Sequence, residues 1–80
     1  MEPRDIIKTA ALKKLHNVIT KKIEEINLSG TPLSTFKIDR LDFIDGISKD
    51  EFSEISQIVD SLNSNLNYLR QYCKLYDIII

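Results

Sequence analysis

SKDEFSEISQIVDSLNSNLNYLRQYCKLY, residues 48–76, carries an apolar stripe that steps alternately three and four positions: Phe52, Ile55, Val59, Leu62, Leu66, Leu69, Cys73 and Tyr76. No charged residue falls on it. Steps averaging about three and a half residues keep one edge of a helix turned toward a partner helix as the two wind around each other. The stretch therefore predicts one long helix, about 48–76, packed against another. Its start is well marked. Ser48 followed three positions later by Glu51 can satisfy two free amide donors reciprocally, and Asp50 and Glu51 suit the positive end of the helix dipole. Ile58, Tyr68, Tyr72 and Leu75 lie beside the stripe and widen it. A single two-stranded contact leaves part of that width uncovered, so the first helix, a second copy or another protein is expected to cover the rest.

Upstream, residues 3–28 predict the second long helix. Pro3 suits a first helical turn, and Gly30 suits the left-handed residue just past a helix end. At 100° per residue, Ala11, Leu12, Leu15, Val18, Ile19, Ile23 and Ile26 share an arc of about 140°. Lys8 and Lys22 fall on the same arc, seven residues either side of Leu15. One reading lets their stems cover apolar surface while the ammonium groups reach water. The sharper one pairs them with the acidic set Asp39, Asp42 and Asp45.

Between the helices, Ser29-Gly30-Thr31-Pro32 is a strong turn signal. The segment that follows is ambiguous. Phe36-Lys37-Ile38-Asp39 alternates like a strand, whereas Ile38, Leu41, Phe43 and Ile44 fit one or two helical turns. The expected fold is mainly α, an antiparallel helical hairpin with an irregular or short-strand connection. The alternative is α+β, with a small sheet pairing 35–39 with 76–80, a segment of strong β propensity.

At 80 residues the chain holds one small domain, and such chains bury only about 60 to 65 per cent of their unfolded surface. Stability then leans on outside help. Cys73 is the only cysteine, which rules out an internal disulfide, and His16 is the only histidine, which leaves no recognisable thiolate or imidazole metal site. Oligomerisation remains. A net charge of −1 gives no global pull toward nucleic acid or anionic membrane. The signs are uneven: residues 1–30 hold six basic and four acidic residues, and 31–60 hold three and seven. Segments of opposite sign suit internal pairing. With no long apolar run and no charged-then-apolar leader, neither a membrane span nor secretion is expected. One free cysteine agrees with an intracellular setting. Three isoleucines at 78–80 are expected to dock on the domain, to enter an interface, or to mark this chain as the N-terminal part of a longer protein.

Residues 45–52 resemble the second half of an EF-hand calcium loop, which needs oxygen ligands at its first, third and fifth positions. Counted from Gly46, the first and third are Leu41 and Phe43, which offer no side-chain oxygen, so a turn feeding a capped helix explains the same residues. Asp60-Ser61-Leu62 is similar to the phosphopantetheine site of acyl carrier proteins. Ser61, however, lies inside a predicted helix with Leu62 on the stripe. His16 is read as solvated, with no acid or nucleophile to orient it. Cys73 behaves as a small hydrophobe, and Asn63, Asn65 and Asn67 read as solvated surface. No cofactor is implied.

The sequence thus points to a non-catalytic protein–protein interaction module or small assembly subunit. Its interface is expected along the stripe, at Phe52, Ile55, Val59, Leu62, Leu66, Leu69 and Tyr76, toward a like or unlike protein chain. The alternative is a nucleic-acid-associated regulator whose Lys13, Lys14 and Lys21 meet phosphate from the exposed face of the first helix. Glu24 and Glu25 in the same region weaken that.

Overall fold

The computed structural model describes residues 3–44 and 46–79, so the expectations for Asp45 and Ile80 lie outside it. Among the described residues three α-helices carry the fold: α1 (Pro3–Ser29), α2 (Lys49–Ser64) and α3 (Leu66–Leu75). Single 3-10 turns at Leu33–Thr35 and Arg40–Asp42 interrupt the connection between α1 and α2. The chain is mainly helical, and among the described residues there is no strand. No described helix is long and apolar enough to cross a membrane.

With 27 residues, α1 runs about 40 Å at 1.5 Å per residue, the full 41 Å long axis of the molecule. It ends as its sequence requires. The Gly30 N–H donates to the Ile26 carbonyl at 3.0 Å, and Gly30 takes a φ of +70°, which a residue with a Cβ adopts only under strain. Ala11, Leu15, Val18, Ile19 and Ile23 of the expected arc are buried, whereas Leu12 is exposed and Ile26 half-buried.

From Gly30 the connection travels back along α1. Phe36 and Lys37 lie near Lys22 and Ile26, the Lys22 ammonium meets the Asp42 carboxylate at 2.9 Å, and at the start of α2 Glu51 meets Lys14 at 2.8 Å. Lys22 is the half-buried lysine of the apolar arc. Its stem covers core surface and its tip fixes the middle segment, as in the sharper of the two readings. Lys8 is exposed.

The sheet alternative is corrected for a specific reason. Phe36 and Ile38 point inward and Lys37 outward, the alternation of a strand. Their partner is a side chain. The Ile38 N–H donates to the Asn63 Oδ1 at 2.7 Å, and Asn63 Nδ2 donates to the Ile38 carbonyl at 2.9 Å. One amide thereby supplies the donor and acceptor that a neighbouring strand would have offered. At the other end, Tyr76–Ile79 leaves α3 through a turn in which the Ile78 N–H reaches back to the Cys73 carbonyl at 2.8 Å, with Asp77 at φ +56°. Ile78 packs against the core, and Ile79 is exposed.

The single helix expected over 48–76 is also corrected. Its start holds: Ser48 Oγ accepts the Glu51 N–H, and Glu51 Oε1 accepts the Ser48 N–H, both at 3.1 Å. At Asn65 the backbone leaves helical geometry, with φ −130° and ψ 103°. Asn65 then opens α3, its Oδ1 accepting the Tyr68 N–H at 3.1 Å. Asn and Ser offer their own hydrogen bonds to the backbone and favour caps over helix interiors, so Asn63-Ser64-Asn65 is where the rod breaks.

Candidate protein-binding surface

The break turns most of the apolar stripe into the molecule. Ile55, Val59, Leu62, Leu69 and Cys73 belong to the buried core with Leu15, Ile19 and Ile23 of α1 and Phe36, Ile38 and Phe43 of the connection. Phe52 is half-buried, its ring edge-on to Phe43 at 6.2 Å. Only Leu66, 37% exposed at the first turn of α3, and Tyr76, 51% exposed at its end, stay outward. Of the seven residues expected at the interface, four are sealed by this chain, one is half-sealed and two reach solvent.

The flank of α3 beside α1 carries a feature that stripe counting set to one side. The three tyrosines of the chain, Tyr68, Tyr72 and Tyr76, recur every fourth position, which places them on one side of a helix. Tyr72 and Tyr76 have ring centroids 4.5 Å apart. His16 of α1 sits against them, edge-on to Tyr76 at 5.3 Å and with Nδ1 3.3 Å from the Tyr72 hydroxyl. His16 is therefore half-buried between helices, not solvated on a polar face. Leu12, one turn before it, is exposed on the same side of α1. A spacing of four was visible in the sequence. What hid it was the assumption of one unbroken rod, which assigned Tyr76 to the seam and its two companions to the flank.

Burial pushes the Tyr72 hydroxyl up to about 12, helped by Tyr76, Cys73 and Tyr68. It stays protonated at neutral pH, within hydrogen-bond reach of His16 Nδ1. Burial also raises the Cys73 thiol, which keeps it in the unreactive protonated form. Among the described residues, no group of three or more His, Cys, Asp or Glu is placed to hold a metal ion.

The lysines proposed for phosphate are divided. Lys14 is tied to Glu51, while Lys13 and Lys21 are exposed. Asp39 and Asp42 cap the second 3-10 turn: Asp42 Oδ2 accepts the Asp39 N–H at 2.6 Å. Burial pushes the Asp42 carboxyl up, but that hydrogen bond and the Lys22 ammonium outweigh it and hold the group below its ordinary range. Asn63, expected as solvated surface, is half-buried as the bridge to Ile38, whereas Asn65, which caps α3, and Asn67 are exposed as expected.

Comparison of the chain with protein-family models, with curated proteins and with solved structures found no match.

Proposed function

We propose that this chain is a non-catalytic protein–protein interaction module, or a small subunit of an assembly, that meets its partner through the tyrosine flank of α3. The scaffold packs α1 against α2, with the connection returning along α1 and α3 set off by the break at Asn65. The supporting observation is the tyrosine face: Tyr68 and Tyr76 exposed, Tyr72 half-buried between them, and His16 and Leu12 alongside. Tyrosine offers large contact area with few rotatable bonds and a polar tip, and is enriched at the cores of interfaces. Leu66 and Tyr76 carry over from the expected seam. Its buried members hold this face in shape.

The test is the light-scattering mass of the isolated chain over a wide concentration range, beside a Tyr68→Asp, Tyr76→Asp variant. The reading expects a mass above the 9.2 kDa monomer at high concentration, returned to 9.2 kDa by the substitutions with helicity unchanged. A monomer throughout counts against self-association through this face. A larger mass that ignores the substitutions moves the contact elsewhere.

A further inference from the structure

We infer that the trough between α1 and its returning connection is a docking site for a short acidic peptide segment bearing a large apolar side chain. This rests on the chain being an interaction module, but it uses the other flank of α1. At 100° per residue, Lys14, Lys21 and Glu25 project about 180° away from Leu12 and His16, so the trough and the tyrosine face lie on opposite sides of the core.

Two clefts make up the trough, one of about 300 Å³ and one of about 210 Å³, and they share Lys22 and Glu25 in their walls. Together they follow α1 from Lys14 to Ser29. That is about 22 Å of helix, the length of roughly six or seven extended residues.

The second 3-10 turn supplies the apolar part of the site. Leu41 and Ile44 stand 90% and 75% exposed on either side of Phe43, which is buried in the core at 6%. They cannot fold inward. The turn that carries them is capped by Asp39 and Asp42, tied to α1 by Lys22 and anchored by Phe43. An apolar side chain entering above Phe43 would take both from water.

Charge selects the rest of the ligand. Lys14, Lys21, Lys22 and Lys37 line the trough against Glu25 and Asp42. Two of the four are occupied, Lys14 by Glu51 and Lys22 by Asp42. Lys21 and Lys37 have no ion pair among the described residues and line different clefts, joined by Lys22; Glu25 in the shared wall has none either, which leaves a surplus of one positive charge. Carboxylates flanking the inserted apolar residue would meet these two ammonium groups. A nucleic-acid backbone fits less well, because a phosphate chain gives Leu41 and Ile44 nothing to pack against.

The test uses the full chain and a fluorescent peptide of alternating glutamate and leucine, about seven residues long, read by anisotropy at low salt. Binding is expected to saturate and to weaken as salt is added. It should fall at least about tenfold in Lys21→Glu, Lys37→Glu and in Leu41→Ser, Ile44→Ser, all exposed positions whose replacement leaves the helical spectrum intact. A lysine–leucine peptide of the same length should not bind. No binding at low salt overturns the inference, as does binding indifferent to both pairs of substitutions, or tighter binding of a single-stranded oligonucleotide of equal charge. Failure here is separable from failure of the tyrosine face, since Tyr68→Asp, Tyr76→Asp should bind the peptide as the parent does.

Discussion

Leu62 and Leu66 are neighbours on the apolar stripe, one turn apart, and the structure gives them opposite roles. Leu62 is 2% exposed within the core, whereas Leu66 is 37% exposed just beyond the break at Asn65. Truncating Leu62 to alanine removes three buried carbons, roughly 2.4 kcal/mol at about 0.8 kcal/mol per methylene. The cavity left behind raises the cost to about 3 kcal/mol, within the usual range for buried leucine. For a domain of this size that lowers the thermal midpoint by roughly 12 to 24 °C. Leu66→Ala leaves no closed cavity and keeps a good helix former at the first position of α3, so its cost should be about 1 kcal/mol or less. Circular dichroism melts of the two variants, with urea titrations to check that the slopes match, measure the difference directly. Equal losses for the two, accompanied by the same drop in particle mass, would mean that the stripe is an intermolecular seam after all, and would refute its closure within one chain.

Other outcomes follow from single contacts. Asn63→Ala strips both backbone groups of Ile38 of their partner in a part-buried site, and should cost about 2 kcal/mol in a urea titration; Asn63→Asp keeps the acceptor and should recover part of it. The Glu51 carboxyl is drawn from 4.5 to about 2, first by Lys14 and then by the Ser48 N–H and hydroxyl, against the opposing effect of burial. Its folded value lies below its unfolded one, so the stability it contributes is complete above about pH 4.5 and is lost as pH falls toward 2. Melts across that window should show a shallower acid slope in Glu51→Gln. Asp77 holds a φ of +56° where glycine would be unstrained, so Asp77→Gly should stabilise by about 0.5 kcal/mol, seen as a higher melting midpoint.

Helix content was legible in the sequence wherever a local rule decides it. The Ser48–Glu51 box, Gly30 at the end of α1 and the arc around Leu15 all depend on residues within a turn or two of each other. The break at Asn65 was written just as locally, in Asn63-Ser64-Asn65, but the apolar stripe runs through it without losing phase. Leu62, Leu69 and Cys73 stay on one side across the break, and a regular stripe does not distinguish one rod from two. The connection was harder because its partners are distant in sequence. Phe36 and Ile38 do alternate as in a strand, yet only the fold brings up Asn63, 25 residues on, to complete their hydrogen bonds. The candidate surface was half legible. Tyr76 was named as a contact residue, but the face it belongs to emerges only once α3 turns independently of α2.

Cys73 offers the most direct test of the central claim, that this stripe closes on α1 within a single chain. It is the only cysteine, it lies on the stripe, and it is fully buried with its thiol raised. The rate at which a thiol reagent modifies it should be slow and independent of chain concentration, because a dilute monomer buries it as well as a concentrated one. A rate that climbs on dilution toward that of the unfolded chain would show that a second chain had been covering the stripe, and would contradict the account.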